Sequence, residues 1–112
     1  MARLAAGLLV NALVRRVNAA GGSAMVLAKG DAEAGAILVL TLDRGANPGF
    51  FERGIGPDGR AALVRAGPAE LSDETAVSDY WQRRRSRDSD LWVVELDIAE
   101  AERFAAETLT TG

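Results

Sequence analysis

The feature that most constrains this chain is a short aliphatic run, Ala36-Ile37-Leu38-Val39-Leu40-Thr41-Leu42, bounded by Gly35 on one side and Asp43, Arg44 and Gly45 on the other. It is too short for a typical helix and is apolar at nearly every position. A run of that kind reads as a buried strand. The other elements are arranged around it. Residues 23–28, centred on Met25-Val26-Leu27, read as a strand that forms a hairpin with the aliphatic run across the loop Lys29-Gly30-Asp31-Ala32-Glu33-Ala34-Gly35. Residues 43–49 read as a turn region containing Gly45 and Asn47-Pro48. Residues 50–55 and 60–66 make a second strand pair. Gly56-Pro57-Asp58-Gly59 turns between them, because proline fixes φ and Asp-Gly tolerates positive φ.

The helices are read from 3.6-residue periodicity. Over residues 4–20, Leu9, Leu13, Val17 and Ala20 share a face, and Gly21-Gly22 ends the element. After the Gly67-Pro68 break, Ser72 starts a second helix with Asp73 and Glu74 in its first turn. Val77, Tyr80 and Trp81 form its apolar face, Arg83, Arg84 and Arg85 its last turn, and Asp88-Ser89-Asp90 its end. Residues 91–97 are a strand, residues 99–107 a short helix, and the last few residues are expected to fray. The expected fold is α+β in one domain spanning residues 1–112. It has a mainly antiparallel sheet of about five strands, with the two main helices packed on one face. At 112 residues and 48% hydrophobic the chain can bury one core without a metal or disulfide.

Two segments, Lys29-Gly30-Asp31-Ala32-Glu33-Ala34-Gly35 leading into Ala36-Ile37-Leu38-Val39, and Asp88-Ser89-Asp90-Leu91-Trp92-Val93-Val94-Glu95-Leu96, carry a resemblance. Together with Arg15-Arg16 they resemble a family of small uncharacterised bacterial proteins, a domain of unknown function. Members show a basic-Gly-Asp-x-x-Ala-Gly loop before an aliphatic strand and a late Asp-Pro-Asp-Leu-Trp-Val pattern. Here Ser89 stands at the proline position, and the match weakens after Asp97. The resemblance covers most of residues 3–97 and implies no catalytic residues.

The chemistry open to the chain is narrow. It has no cysteine and no histidine. This excludes disulfides, thiolate nucleophiles, histidine-based triads and His- or Cys-ligated metals. Catalysis would rest on carboxylates, arginine, Tyr80, hydroxyls or Lys29, the only lysine, so the sequence weighs against an enzyme. No cofactor is implied and nothing specifies an oligomeric state. The net charge of −3 opposes a dedicated nucleic-acid binder. Arg3 and residues 4–10 imitate the start of a signal peptide. However, Asn11 interrupts the apolar stretch and Arg15-Arg16 occupy the cleavage region, so a cytoplasmic protein without membrane insertion is expected.

Two candidate sites remain. Arg83-Arg84-Arg85-Ser86-Arg87 is the densest positive charge and reads either as an anion or acidic-partner site, or as cations favoured at a helix C-terminus. In the loop, Lys29, Gly30, Asp31 and Gly35 read either as a backbone anion cradle, with Arg15-Arg16 supplying charge, or as a hairpin loop capped by Asp31. Gly54-Ile55-Gly56-Pro57-Asp58-Gly59 matches a dinucleotide fingerprint in letters, but the preceding Phe50-Phe51-Glu52-Arg53 is short and charged, the helix-tolerant run after it ends at Gly67-Pro68, and Pro57 removes a donor, so it reads as a hairpin turn. Asp88 with Asp90, and Asp73 with Glu74, lack the spacing of a calcium loop and read as caps and turns. The leading expectation is a non-enzymatic interaction module whose arginine-rich helix end engages an acidic or anionic partner. Replacing Arg83, Arg84 and Arg85 with alanine should then abolish binding without loss of fold. The alternatives are a weak nucleic-acid binder and a small enzyme acting on an anionic metabolite through carboxylate and arginine groups.

Overall fold

The computed structural model describes residues 4–110. In chain order it contains α1 (Ala6–Ala19), β1 (Ser23–Ala28), β2 (Ile37–Asp43), β3 (Ala46–Ile55), β4 (Ala61–Ala66), α2 (Glu74–Arg87), β5 (Trp92–Asp97) and α3 (Ala101–Leu109). Element types and order follow the sequence expectation. The sequence pattern placed the β2–β3 turn too broadly. Asp43 pairs with Ala46, so the turn is only Arg44-Gly45, both at positive φ, which is the backbone twist that suits a two-residue hairpin. The Gly56-to-Gly59 segment is the β3–β4 hairpin turn, closed by the Gly56 amide donating to the Arg60 carbonyl at 2.8 Å. The fraying expected at the C-terminus falls partly on residues 111–112, and Arg3 also lies outside the described residues.

The strand order is β1-β5-β2-β3-β4, which corrects two expectations. First, β1 and β2 are not a hairpin: β5 lies between them, antiparallel to β1 and parallel to β2. The sheet is therefore mixed. The 29–36 connection must span two inter-strand spacings, roughly 10 Å, instead of making a tight turn. Second, the helices do not share one face. Val39, Trp92, Val94 and Leu96 pack against Val10, Leu13, Val17, Ala101 and Ala105 of α1 and α3. Leu38, Leu40, Leu91 and Val93 join Phe50 on the opposite face, beneath Val77, Tyr80 and Trp81 of α2. The physical reason is the aliphatic run at residues 36–42. A strand apolar at successive positions presents carbon to both sides of the sheet, so both sides need a cover. Among the described residues, no helix is long and apolar enough to cross a membrane.

Candidate functional site

The 29–36 connection passes over the start of β5 and is bonded on every side. The Asp31 amide donates to the Asp90 carbonyl at 3.0 Å, and Trp92 Nε1 donates to the Asp31 carbonyl at 2.7 Å. The Trp92 amide closes the crossing on the Ala36 carbonyl at 2.8 Å. The Asp31 carboxylate accepts from the amides of Glu33 and Ala34 at 3.2 and 2.8 Å, which makes the capped turn anticipated from sequence. The carbonyls of Ala32 and Glu33 then accept from the amides of Gly7 and Ala6 at 2.9 and 3.1 Å. Ala5, at the N-cap of α1, has no capping side chain, so the loop satisfies first-turn donors that a serine or aspartate would otherwise serve.

Gly30 and Gly35 make this crossing possible. A Cβ at Gly30 would stand 2.1 Å from the Asp90 carbonyl oxygen, and one at Gly35 would stand 2.2 Å from the same atom. The two sequence segments that carried the resemblance therefore lie against each other, loop over strand start.

The arginine run ends α2 beside this crossing, and its members have different surroundings. Arg84 lies over β3. Its Nη1 and Nη2 donate to the two carboxylate oxygens of Glu52 at 3.2 and 2.9 Å, and Nη1 also donates to the Tyr80 hydroxyl at 3.0 Å. Bonding to Glu52 raises the Arg84 pKa further above the ordinary arginine value, with burial opposing. Arg85 donates to the carbonyls of Ser89 at 2.7 Å and Lys29 at 2.9 Å, while its Nε is buried without an acceptor. Arg85 thus ties the helix end to the loop and joins the two candidate sites, a contact between residues 56 positions apart. Its acceptors are carbonyls, and among the described residues Arg85 forms no ion pair.

Arg83 and Arg87 are exposed and, among the described residues, their guanidinium groups have no carboxylate or hydrogen-bond partner. The same holds for the Lys29 ammonium. Arg83 and Arg87 are four positions apart on a helix and so lie one above the other on its surface.

Arg15 and Arg16 are not part of this cluster. Arg16 sits at the far end of α1 and binds α3, through Glu107 at 2.9 Å and Thr108 at 2.6 Å. Arg16 and Arg103 hold the Glu107 carboxyl below the usual carboxylate range. Among the described residues no three carboxylates converge as a metal-ion site would require.

Since Arg84 and Arg85 serve the fold, a triple alanine substitution would remove α2's polar anchors together with any binding surface. Arg84→Ala alone leaves Glu52 half-buried and unpaired, and it should cost about 1–2 kcal/mol in urea unfolding. Arg83→Ala should stay within about 0.5 kcal/mol of the parent. Equal midpoints for the two variants would show that solvent screens the Arg84–Glu52 pair. Sequence reasoning could rank the arginines only as a cluster. Glu52, which claims Arg84, lies 32 positions away with no local signal linking the two.

The chain matches the family described as protein of unknown function (DUF1491) over residues 4–106. It is similar to the crystal structure of a DUF1491 family protein from Caulobacter crescentus, with 33% identity and a TM-score of 0.77, covering 91% of this chain and 94% of that one. An NMR structure of a DUF1491 family protein from the same organism is 32% identical, with a TM-score of 0.74 and coverage of 93% and 94%. The solution structure of a protein from A. tumefaciens is 30% identical, with a TM-score of 0.71 and coverage of 99% and 98%. No curated protein matches the chain.

Proposed function

We propose, from the premise that this chain belongs to the DUF1491 family, that it is a non-enzymatic interaction module presenting Arg83, Arg87 and Lys29 to an acidic protein surface. The observation that carries this reading is the division within the arginine run. Arg84 and Arg85 hold the helix in place, while Arg83 and Arg87 stand exposed at its C-terminus with no carboxylate of the described chain against them. Arg85 adds a guanidinium fixed beside the backbone of Lys29. Beyond the favourable place of cations near the negative end of the helix dipole, this like-charged pair on one helix face offers guanidinium donors to an external anion.

An acidic protein fits better than a nucleic acid. Asp88 and Asp90 are exposed at the same helix end, and the whole chain carries −3. A partner with discrete carboxylates can avoid those aspartates, whereas a continuous phosphate backbone cannot. The proposed setting is the cytoplasm, as one domain.

The test uses a fluorescent deca-glutamate peptide as probe and the double reversal Arg83→Glu/Arg87→Glu. Arg84 and Arg85 remain in place, so the fold should persist. The parent is expected to bind with an affinity that falls with salt, and the variant to lose about tenfold or more. Equal binding by parent and variant overturns the proposal. Tighter binding of a single- or double-stranded oligonucleotide than of the peptide, at the same salt, would move the assignment to nucleic acid.

A further inference from the structure

On the side of the sheet away from α2, a cleft of about 650 Å³ opens between the first turn of α1, the end of α3 and the free end of the β3–β4 hairpin. We propose that it binds a small aliphatic anion, a medium-chain carboxylate in chemical class, with Arg53 as the counter-ion. The size lies within the roughly 300–1,000 Å³ typical of small-molecule sites. Leu9, Ile37, Ile55, Ala61 and Leu109 give it aliphatic walls. At its mouth Leu4 is 64% exposed and Ile55 72% exposed, so large apolar side chains are left in water where a hydrocarbon chain would cover them.

The charge in the cleft is specific. Arg53 pairs in register with Leu63, and it shares the α1/α3 side of the sheet with Phe51. It is half-buried and, among the described residues, has neither an ion pair nor a side-chain hydrogen bond. Arginine does not shed its proton to escape such a setting, so an unpaired guanidinium beside aliphatic walls favours an incoming anion.

Two carboxylates also border the cleft, Glu52 and Glu33. Glu52 alternates to the other face and is held by Arg84 at 2.9 Å. Glu33 is exposed at the rim. A negative charge there tolerates a single carboxylate at Arg53 and disfavours a multiply charged phosphate. A single negative head with an aliphatic tail meets both requirements of the cleft.

The experiment is a titration of the ¹⁵N-labelled chain with decanoate below its micelle concentration, with 1-decanol, inorganic phosphate and phosphatidylglycerol vesicles as separate arms. Decanoate is expected to give saturable amide shifts at Leu9, Ile37, Arg53 and Ile55. Decanol should bind more weakly, phosphate alone should not bind, and Arg53→Gln should lose about tenfold or more in decanoate affinity. If Arg53→Gln does not fold, Ile55→Asp at the exposed rim must weaken decanoate binding instead. No saturable shift, equal affinity in the folded Arg53→Gln variant, or shifts confined to the α2 side would each overturn the site. Vesicle binding without decanoate binding would do so as well. Arg83→Glu/Arg87→Glu lies across the sheet and should leave decanoate binding intact, so the two assignments fail separately.

Discussion

Alanine at Gly35 is expected to lower the thermal unfolding midpoint by roughly 10–20 °C, a loss of about 3 kcal/mol. The added methyl would stand 2.2 Å from the Asp90 carbonyl oxygen, 2.9 Å from that of Asp31 and 3.0 Å from the Trp92 ring. The nearest two are backbone atoms that no rotamer change can move. Relief requires lifting the loop off the start of β5. That would stretch the Asp31–Asp90 and Trp92–Ala36 backbone bonds and the indole bond to Asp31 together. The loop also caps the first turn of α1, so the strain should spread to that helix. Gly7→Ala is the matched control. Its methyl would meet nothing closer than 3.4 Å, and alanine is the better helix former, so its stability should change by less than about 1 kcal/mol in either direction, a midpoint shift below roughly 6 °C. Thermal melts followed by circular dichroism compare the two. A Gly35→Ala midpoint as near the parent as that of Gly7→Ala would show that the loop can lift off Asp90 without loss of stability.

Phe50→Ala is expected to cost about 3–5 kcal/mol and to release α2 before the rest of the chain unfolds. Phe50 is 1% exposed and lies at the centre of the core beneath α2, with its ring 4.7 Å from that of Tyr80. No residue of α2 is itself fully buried. The helix is attached by the partly buried Val77, Tyr80 and Trp81, by Arg84 on Glu52 and by Arg85 on the loop. Removing the ring takes away the surface on which those aromatic residues rest. Hydrogen exchange should then accelerate across residues 74–87 before the amides of β2 and β5 are affected. Uniform acceleration along the whole chain would mean that α2 and the sheet unfold as one unit.

The family resemblance and the type and order of the elements were legible in the residues, whereas the strand order, the parallel pairing and the placement of the helices were not. Asp31 as a cap, Gly56-Pro57-Asp58-Gly59 as a turn and Asp73 at the start of α2 are local devices, with donor and acceptor within a few positions of each other. The candidate site was legible only as a location. Its arginines are identical in composition and differ entirely in what they meet: Glu52 for Arg84, two carbonyls for Arg85, and no acceptor of the described chain for Arg83 and Arg87. Arg53 carried no sequence signal, because its significance is the lack of a partner inside an aliphatic cleft.

By itself the sequence determined the elements and their order. Helical and strand periodicities, proline and glycine breaks and short polar caps act over a few residues, and their free energies are set by the local chain. Ile37-Leu38-Val39-Leu40 points apolar side chains to both faces of a strand, yet the sequence expectation placed both main helices on one face. Only the tertiary structure decided that β5 enters between β1 and β2, that α2 covers one face while α1 and α3 cover the other, and which arginines remain free. Hydrophobic burial is non-directional and does not specify which strand lies beside which. That choice rests on contacts distant in sequence, and the passage of Gly30 and Gly35 over Asp90 is compatible with it only because a side chain is missing at both positions.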